Sequence, residues 1–269
     1  MRLPCLYRWS LLLLGILLLN SCEKVIHLQT EEIAPKYVIE ANLSDQLNDC
    51  YVLLSTTNHI NQPSSFNGIG GATVTIREDE KEPIPLMETR TGIYQNNILR
   101  AKPGHQYTLS IFTNNQEFTS TVEVPEKVNF DSLYIIDFEG FGSVRKFANV
   151  EFQDPAGIDN SYRFIQYKNR ITNPNIFVVN DDFSDGRQIS TFLPFFGDQE
   201  DQKISPGDTV RVEMQCIDPS VYLFFNSLNQ SSSGGNEVVA PGNPVTNIKG
   251  GALGYFNACI KQEKTIIAE

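Results

Sequence analysis

Cys22 is the residue with the clearest chemistry. It closes the string Leu19-Asn20-Ser21-Cys22, behind two arginines (Arg2, Arg8) and an apolar run over residues 11–19. A basic head, a short apolar core and small residues before a cysteine make up an export signal that is cut once the thiol carries a diacylglycerol. The apolar run is shorter than the ~20 residues a membrane span needs, and no Ala-x-Ala site of a plain signal is present. The expectation is an envelope protein with residues 1–21 removed, diacylglycerol on Cys22, a further palmitate-like chain, and residues 22–35 as a tether. One acyl chain holds weakly and two or more hold stably.

Other reactive types are thinly spread. Asp181-Asp182-Phe183-Ser184-Asp185-Gly186 places three carboxylates before a glycine turn, so Asp181, Asp182 and Asp185 are the candidate calcium ligands. Phe183 stands where an EF-hand loop puts a ligand, and no glutamate closes the loop, so a plain turn is the favoured reading. The histidines, His27, His59 and His105, have no partner at metal spacing, and there is no His-Glu-x-x-His or paired Cys-x-x-Cys. Neither a Gly-x-Ser-x-Gly elbow nor a phosphate-cradling glycine loop occurs. No catalytic residue, metal or cofactor is expected, and the protein reads as a non-enzyme.

Loss of Arg2 and Arg8 with the signal takes the net charge from −11 to −13. An acidic chain without Lys/Arg clusters is not a nucleic-acid binder. With 41% hydrophobic residues it can fill real cores. Cys50, Cys216 and Cys259 remain after processing. An exported chain with three thiols fits one disulfide, Cys216–Cys259, plus a buried thiol, or equally three buried thiols.

Two aromatic groups are candidate partner contacts. Phe192, Phe195 and Phe196 crowd a segment that reads as a loop, and Tyr255 and Phe256 follow the glycines Gly250, Gly251 and Gly254. Exposed, the first group is a docking surface; buried, it is a core plug. The glycine string either wraps back over its own domain or touches a partner or ligand.

The elements that must position these residues are strands. Period-two alternation runs through residues 36–43, 72–77, 107–111 and 118–124, with a more apolar strand at 50–54. Turns at Gly70-Gly71, Thr91-Gly92, Pro103-Gly104 and Asn114-Asn115 separate them. Residues 36–126 read as an immunoglobulin-like β-sandwich. Beyond Pro125-Glu126-Lys127, strands at 132–138, 149–153, 162–167, 175–180 and 209–215 build a second β-rich domain over 127–269. Asp218-Pro219 then opens an amphipathic helix near 219–230, with Val221, Phe224, Phe225 and Leu228 on one face. It is expected to pack on the second domain's sheet. The fold class is all-β, mainly antiparallel, with one helix.

Several strings together resemble one family. They are Cys22-Glu23-Lys24-Val25-Ile26, Tyr37-Val38-Ile39-Glu40, Gly71-Ala72-Thr73-Val74-Thr75-Ile76, Gly92-Ile93-Tyr94, Pro103-Gly104 with Tyr107-Thr108-Leu109, and Asn243-Pro244 through Asn247-Ile248-Lys249-Gly250-Gly251 to Gly254-Tyr255-Phe256. This resembles the Bacteroidota lipoprotein family called domain of unknown function 4249, over nearly the whole processed chain. The resemblance implies an outer-membrane lipoprotein, often encoded beside a TonB-dependent receptor, and implies no catalysis. It supports an accessory or substrate-capturing partner of such a transporter; the alternative is a structural or adhesive cell-surface module. Lys24 directly after Glu23 departs from the acidic run of surface-exported lipoproteins in that phylum, so the periplasmic and surface faces both stay open, as does the ligand.

Overall fold

Alternation in the sequence becomes strand pairing throughout a computed structural model that describes residues 34–58, 65–140, 143–157, 159–195, 203–232 and 242–269. The signal, Cys22, His27, His59 and Phe196 lie outside the described residues. The first stretch forms β1 (Tyr37–Ser44), β2 (Cys50–Thr56), β3 (Thr73–Glu78), β4 (Ile84–Pro85), β5 (Met87–Arg90), β6 (Ile93–Gln95), β7 (Gln106–Thr113) and β8 (Gln116–Glu123). The remainder forms β9 (Ser132–Gly140), β10 (Ser143–Gln153), β11 (Ser161–Lys168), β12 (Ile171–Thr172), β13 (Phe177–Asn180), β14 (Gln188–Leu193), β15 (Thr209–Cys216), the helix α1 (Pro219–Ser232) and β16 (Leu253–Ile267). The protein is a mainly antiparallel β protein with one short described helix, as its patterning dictates.

Three sheets assemble two cores. A long sheet runs β12-β11-β15-β16-β1-β2-β6-β5, with β13 also on β11. A four-stranded sheet, β4-β3-β7-β8, closes the first core around Ile39, Leu43, Leu54, Ile76, Leu109 and Phe118. A three-stranded sheet, β14-β10-β9, closes the second around Val150, Phe152, Tyr162, Phe164, Val212 and Met214. Residue 126 lies between the strands of the first core and those of the second. Yet β16 and α1, both from beyond it, complete the first core.

β16 is the joint. Residues 253–259 run parallel to β1, and residues 260–267 run antiparallel to β15. Because β1 and β16 point the same way, the second half of β16 carries the second sandwich ~25 Å onward from the end where β1 begins. Gly254 makes the close approach possible: its φ is +104°, and a Cβ there would sit 1.9 Å from the Ile39 carbonyl oxygen. Among the described residues the other edge of this half-strand has no neighbouring strand, because β15 stops opposite Ile260. The glycine-rich string fills the gap. Thr246 Oγ1 donates to the Gly254 carbonyl at 2.7 Å, and Asn247 takes the Phe256 N–H and donates to its carbonyl, both at 2.9 Å.

A polar row, buried at Glu213, Gln215, Asn257 and Asn42 and half-buried at Lys261 and Asp49, secures the same joint. Lys261 Nζ is 2.9 Å from Glu213 and 3.1 Å from Asp49, while Gln215 donates to Glu213 at 2.6 Å and Asn257 donates to Asn42 at 3.0 Å. Burial by itself would lower the Lys261 ammonium; Glu213 and Asp49 outweigh it and hold it above its ordinary value.

Two expectations change here. The helix, opened by Asp218 capping the Ser220 N–H at 2.8 Å, does not settle on the second sheet alone. Ile217 leaves β15 into the first core, and Val221, Phe224 and Phe225 follow it there, while the helix also touches β11 and β13. The Cys216–Cys259 disulfide is absent. Cys216 pairs with Ile260, so Cys259, one residue along, projects from the opposite face. Cys216 belongs to the second core and Cys259 to the first, and Cys50, Cys216 and Cys259 are all buried free thiols. Burial raises each, Cys50 to about 12 and Cys216 to about 11.

At the far end of the first sandwich, Glu78 is buried between Lys81 and Lys102, each at 2.8 Å, with His105 at 3.4 Å. Burial pushes its carboxyl up, but the two lysine hydrogen bonds outweigh this and hold it below 4.5. A lowered carboxylate stabilises the fold above its unfolded pKa and loses that contribution as pH falls through the folded one. Stability should therefore fall below about pH 4.5, and Glu78→Gln should flatten that fall. The variant should cost about 1 kcal/mol at neutral pH, since both lysines are more than half exposed. Urea midpoints from pH 3 to 7 check this.

Candidate functional site

The outer face of the three-stranded sheet carries an aromatic cluster. Register places Tyr134, Ile136 and Phe138 of β9, Arg145, Phe147, Asn149 and Glu151 of β10, and Ser190 and Phe192 of β14 on one side. The alternate residues Leu133, Ala148, Val150, Phe152 and Leu193 fill the second core. Phe138, Phe147 and Phe192 stand 5.5–5.9 Å apart, and the Phe147 and Phe192 rings are nearly parallel at 16°. Phe147 is buried at 3% exposure, while Phe138 and Phe192 stay open at 39% and 44%. Such pairs add about 0.5–1.5 kcal/mol beyond area burial.

A polar border adjoins the rings. Tyr134 Oη donates to Glu151 at 2.6 Å, and Asn149 Nδ2 donates to Ser190 at 3.0 Å. The carboxylate acceptor raises the Tyr134 hydroxyl above its ordinary value. Beside the cluster, Phe147 and Phe195 share a cavity of about 320 Å³ with Arg145, Lys146 and Lys203. Lys146 pairs with Asp137 at 3.0 Å. Rings open to solvent inside a hydrogen-bonded border have the make-up of a protein-contact patch.

The five aromatic candidates divide. Phe192 is exposed as the docking reading requires, although it sits on β14 and not in a loop. Phe195 is buried at 5% exposure and acts as a plug beside the cavity, so it is not a surface contact. Tyr255 and Phe256 are also removed from the contact list. Phe256 is fully buried on β16, and Tyr255 is packed 4.8 Å from both Phe224 and Phe225 of the helix. Sequence reading passed over Phe138 and Phe147; the alternating Tyr134, Ile136, Phe138 was the available signal.

The acidic loop is a clasp. Asp154, Asp181 and Asp185 bring one oxygen each within 4.8 Å of one another, but Asp182 turns away to accept from Asn180 at 2.6 Å. Asp182 is thus replaced by Asp154, from a distant turn. Each clustered carboxylate already accepts a backbone N–H: Asp154 from Gly186 at 3.1 Å, Asp181 from Asn160 at 2.9 Å and Asp185 from Gly157 at 2.7 Å. Tyr162 also donates to Asp154 at 2.5 Å, and burial with that carboxylate raises its hydroxyl strongly. Such oxygens suit a hard cation, yet the bonds present account for the arrangement as a lock between two turns.

A family model described as a domain of unknown function (DUF4249) matches residues 23–265. The chain belongs to the DUF4249 family. The match takes in both sandwiches, the aromatic face and the Thr246–Asn247 strap along β16. No curated protein matches the sequence. In this DUF4249 chain the glycine-rich string that carries the resemblance is accounted for by the joint: it caps the open edge of β16.

Proposed function

We propose that this DUF4249 protein is a lipid-anchored envelope protein that works by contact, without catalysis, as an accessory or substrate-capturing partner of a TonB-dependent outer-membrane transporter. The anchor reading is supported by the basic head, apolar run and Leu-Asn-Ser-Cys string ending at Cys22. The observation that carries the contact reading is the pair of open rings, Phe138 and Phe192, packed with buried Phe147 on the outer sheet face. A docked partner would cover the two open rings and leave the Tyr134–Glu151 and Asn149–Ser190 bonds as its border. Hot spots of this kind concentrate binding energy in a few aromatic side chains.

The test is recovery of the tagged protein from detergent extracts of the envelope. Wild type should bring down a TonB-dependent receptor barrel, and the double variant Phe138→Ser/Phe192→Ser should lose it by at least about tenfold, the equivalent of 1.4 kcal/mol. A melting curve for the variant separates lost contact from lost fold. Repeated recovery of no barrel by wild type rejects the partnership. Normal nutrient uptake with defective attachment in a deletion strain would favour the adhesive module instead.

A further inference from the structure

The strand directions give the first sandwich a near end and a far end relative to the chain's entry. Pro35 leads into β1, and Lys36 is tied down by Thr57: its N–H donates to Thr57 Oγ1 at 3.0 Å and its carbonyl accepts the Thr57 N–H at 2.9 Å. The same end holds the β7–β8 turn, where Asn114 donates to the Tyr37 hydroxyl at 3.1 Å, and the β5–β6 turn, where Gly92 meets Leu54. Phe66, at 51% exposure, and Phe112, at 53%, stand open there. Lys36 and Arg90 are exposed on the same end, balanced by Glu88, which accepts the Gly71 and Gly92 N–H groups, and by Glu117 opposite Phe112.

The far end is the more acidic one. It holds the loops after β1 and β3, with Asp45, Asp49, Asp79, Glu80 and Glu82 outnumbering Lys81 and Lys102, and the second sandwich continues beyond it along β16. Leu47 and Ile98 are exposed at that end as well, Ile98 at 82%. Exposed apolar residues alone therefore do not distinguish the ends; the combination with charge and chain entry does.

We propose that the chain-entry end rests on the lipid bilayer, with Phe66 and Phe112 seated in the headgroup–acyl boundary and Lys36 and Arg90 against anionic headgroups. This rests on the lipid-anchor reading, and adds to it a face of the folded body. The 13 residues from Glu23 to Pro35 reach at most about 45 Å when extended, so an acylated Cys22 sets that limit on the distance of this end from the membrane. Aromatic rings settle about 5–10 Å into the boundary region, and basic residues beside them add attraction to anionic lipid. The body then stands with its first sandwich on the membrane and its second held away from it.

Tryptophan fluorescence tests the arrangement. The only tryptophan, Trp9, leaves with the signal, so one introduced tryptophan reports alone. Phe66→Trp, Phe112→Trp and Ile98→Trp proteins, purified with the lipid attached, are placed in vesicles of phosphatidylethanolamine and phosphatidylglycerol with brominated or plain acyl chains. Bromine should cut emission roughly twofold at positions 66 and 112, as expected for rings at that depth, and leave position 98 unchanged. Protein that floats with the vesicles but shows no quenching at 66 and 112, or equal quenching at 98, overturns the proposal while sparing the anchor. Protein that fails to float overturns the anchor itself.

Discussion

Gly254→Ala should be the most damaging single-atom-scale change in this protein. The added Cβ would meet the Ile39 carbonyl oxygen at 1.9 Å, and the backbone φ of +104° is itself poor for any other residue. Neither side can yield, because Ile39 is fully buried in the first core and β16 is held on its other edge by Thr246 and Asn247. Parallel pairing with β1 is lost, and with it the strand that completes the first core and carries the second. The expected cost exceeds about 4 kcal/mol, in the range reserved for broken cores and special backbone sites. Gly251→Ala is the matched control. Its φ is +89°, but a Cβ there meets nothing within 4 Å, so strain alone should cost about 1–2 kcal/mol. Urea unfolding of the two variants measures the difference; equal, small losses would show that the close approach of β1 and β16 is not required.

The second large effect is expected at Lys261. It is the cation between Glu213, whose side chain is 3% exposed, and Asp49. Lys261→Met keeps the length of the side chain and removes the charge, leaving Glu213 buried with Gln215 donating to it and no cation beside it among the described residues. Breaking a buried pair from one side costs about 3–5 kcal/mol. Neutralising both, in Lys261→Met/Glu213→Gln, should recover most of that loss, because the uncompensated charge is then gone. A double variant no better than the single would mean that the row stabilises through packing and not through charge.

The strands of the first sandwich were legible because one face is core and the other is wet, which stamps period two on residues 73–78, 106–113 and 116–123. The helix was legible for the same reason at period 3.6. β14 was hidden by its neighbours: Pro194 and the density of Phe192, Phe195 and Phe196 suggested a loop, although residues 188–193 pair along β10. β16 was hidden twice. Gly250, Gly251 and Gly254 disguise its entry, and the run Lys261, Gln262, Glu263 and Lys264 breaks any apolar alternation although that stretch pairs fully with β15. Long-range pairing, not local pattern, decides such a strand.

The functional residues follow the same division. Phe192 was visible as a candidate, either docking surface or core plug, but its companions Phe138 and Phe147 lie on two other strands and meet it only through register. Asp154 joins Asp181 and Asp185 across a long stretch of chain, so spacing within one loop selected Asp182 in its place. The disulfide fails on a detail that only register supplies, since one residue along a strand reverses the face. Tyr255 and Phe256 read as contacts because glycines precede them; those glycines serve the approach of two backbones.

The most direct test of action by contact is a photo-crosslinking residue at position 192 in cells that make the lipidated protein, with position 98 as the comparison. Illumination should join position 192 to the barrel of a TonB-dependent receptor and leave position 98 without that adduct. Adducts at neither position, or the same adducts at both, would contradict the assignment of the Phe138–Phe147–Phe192 face as the place where this protein meets its partner.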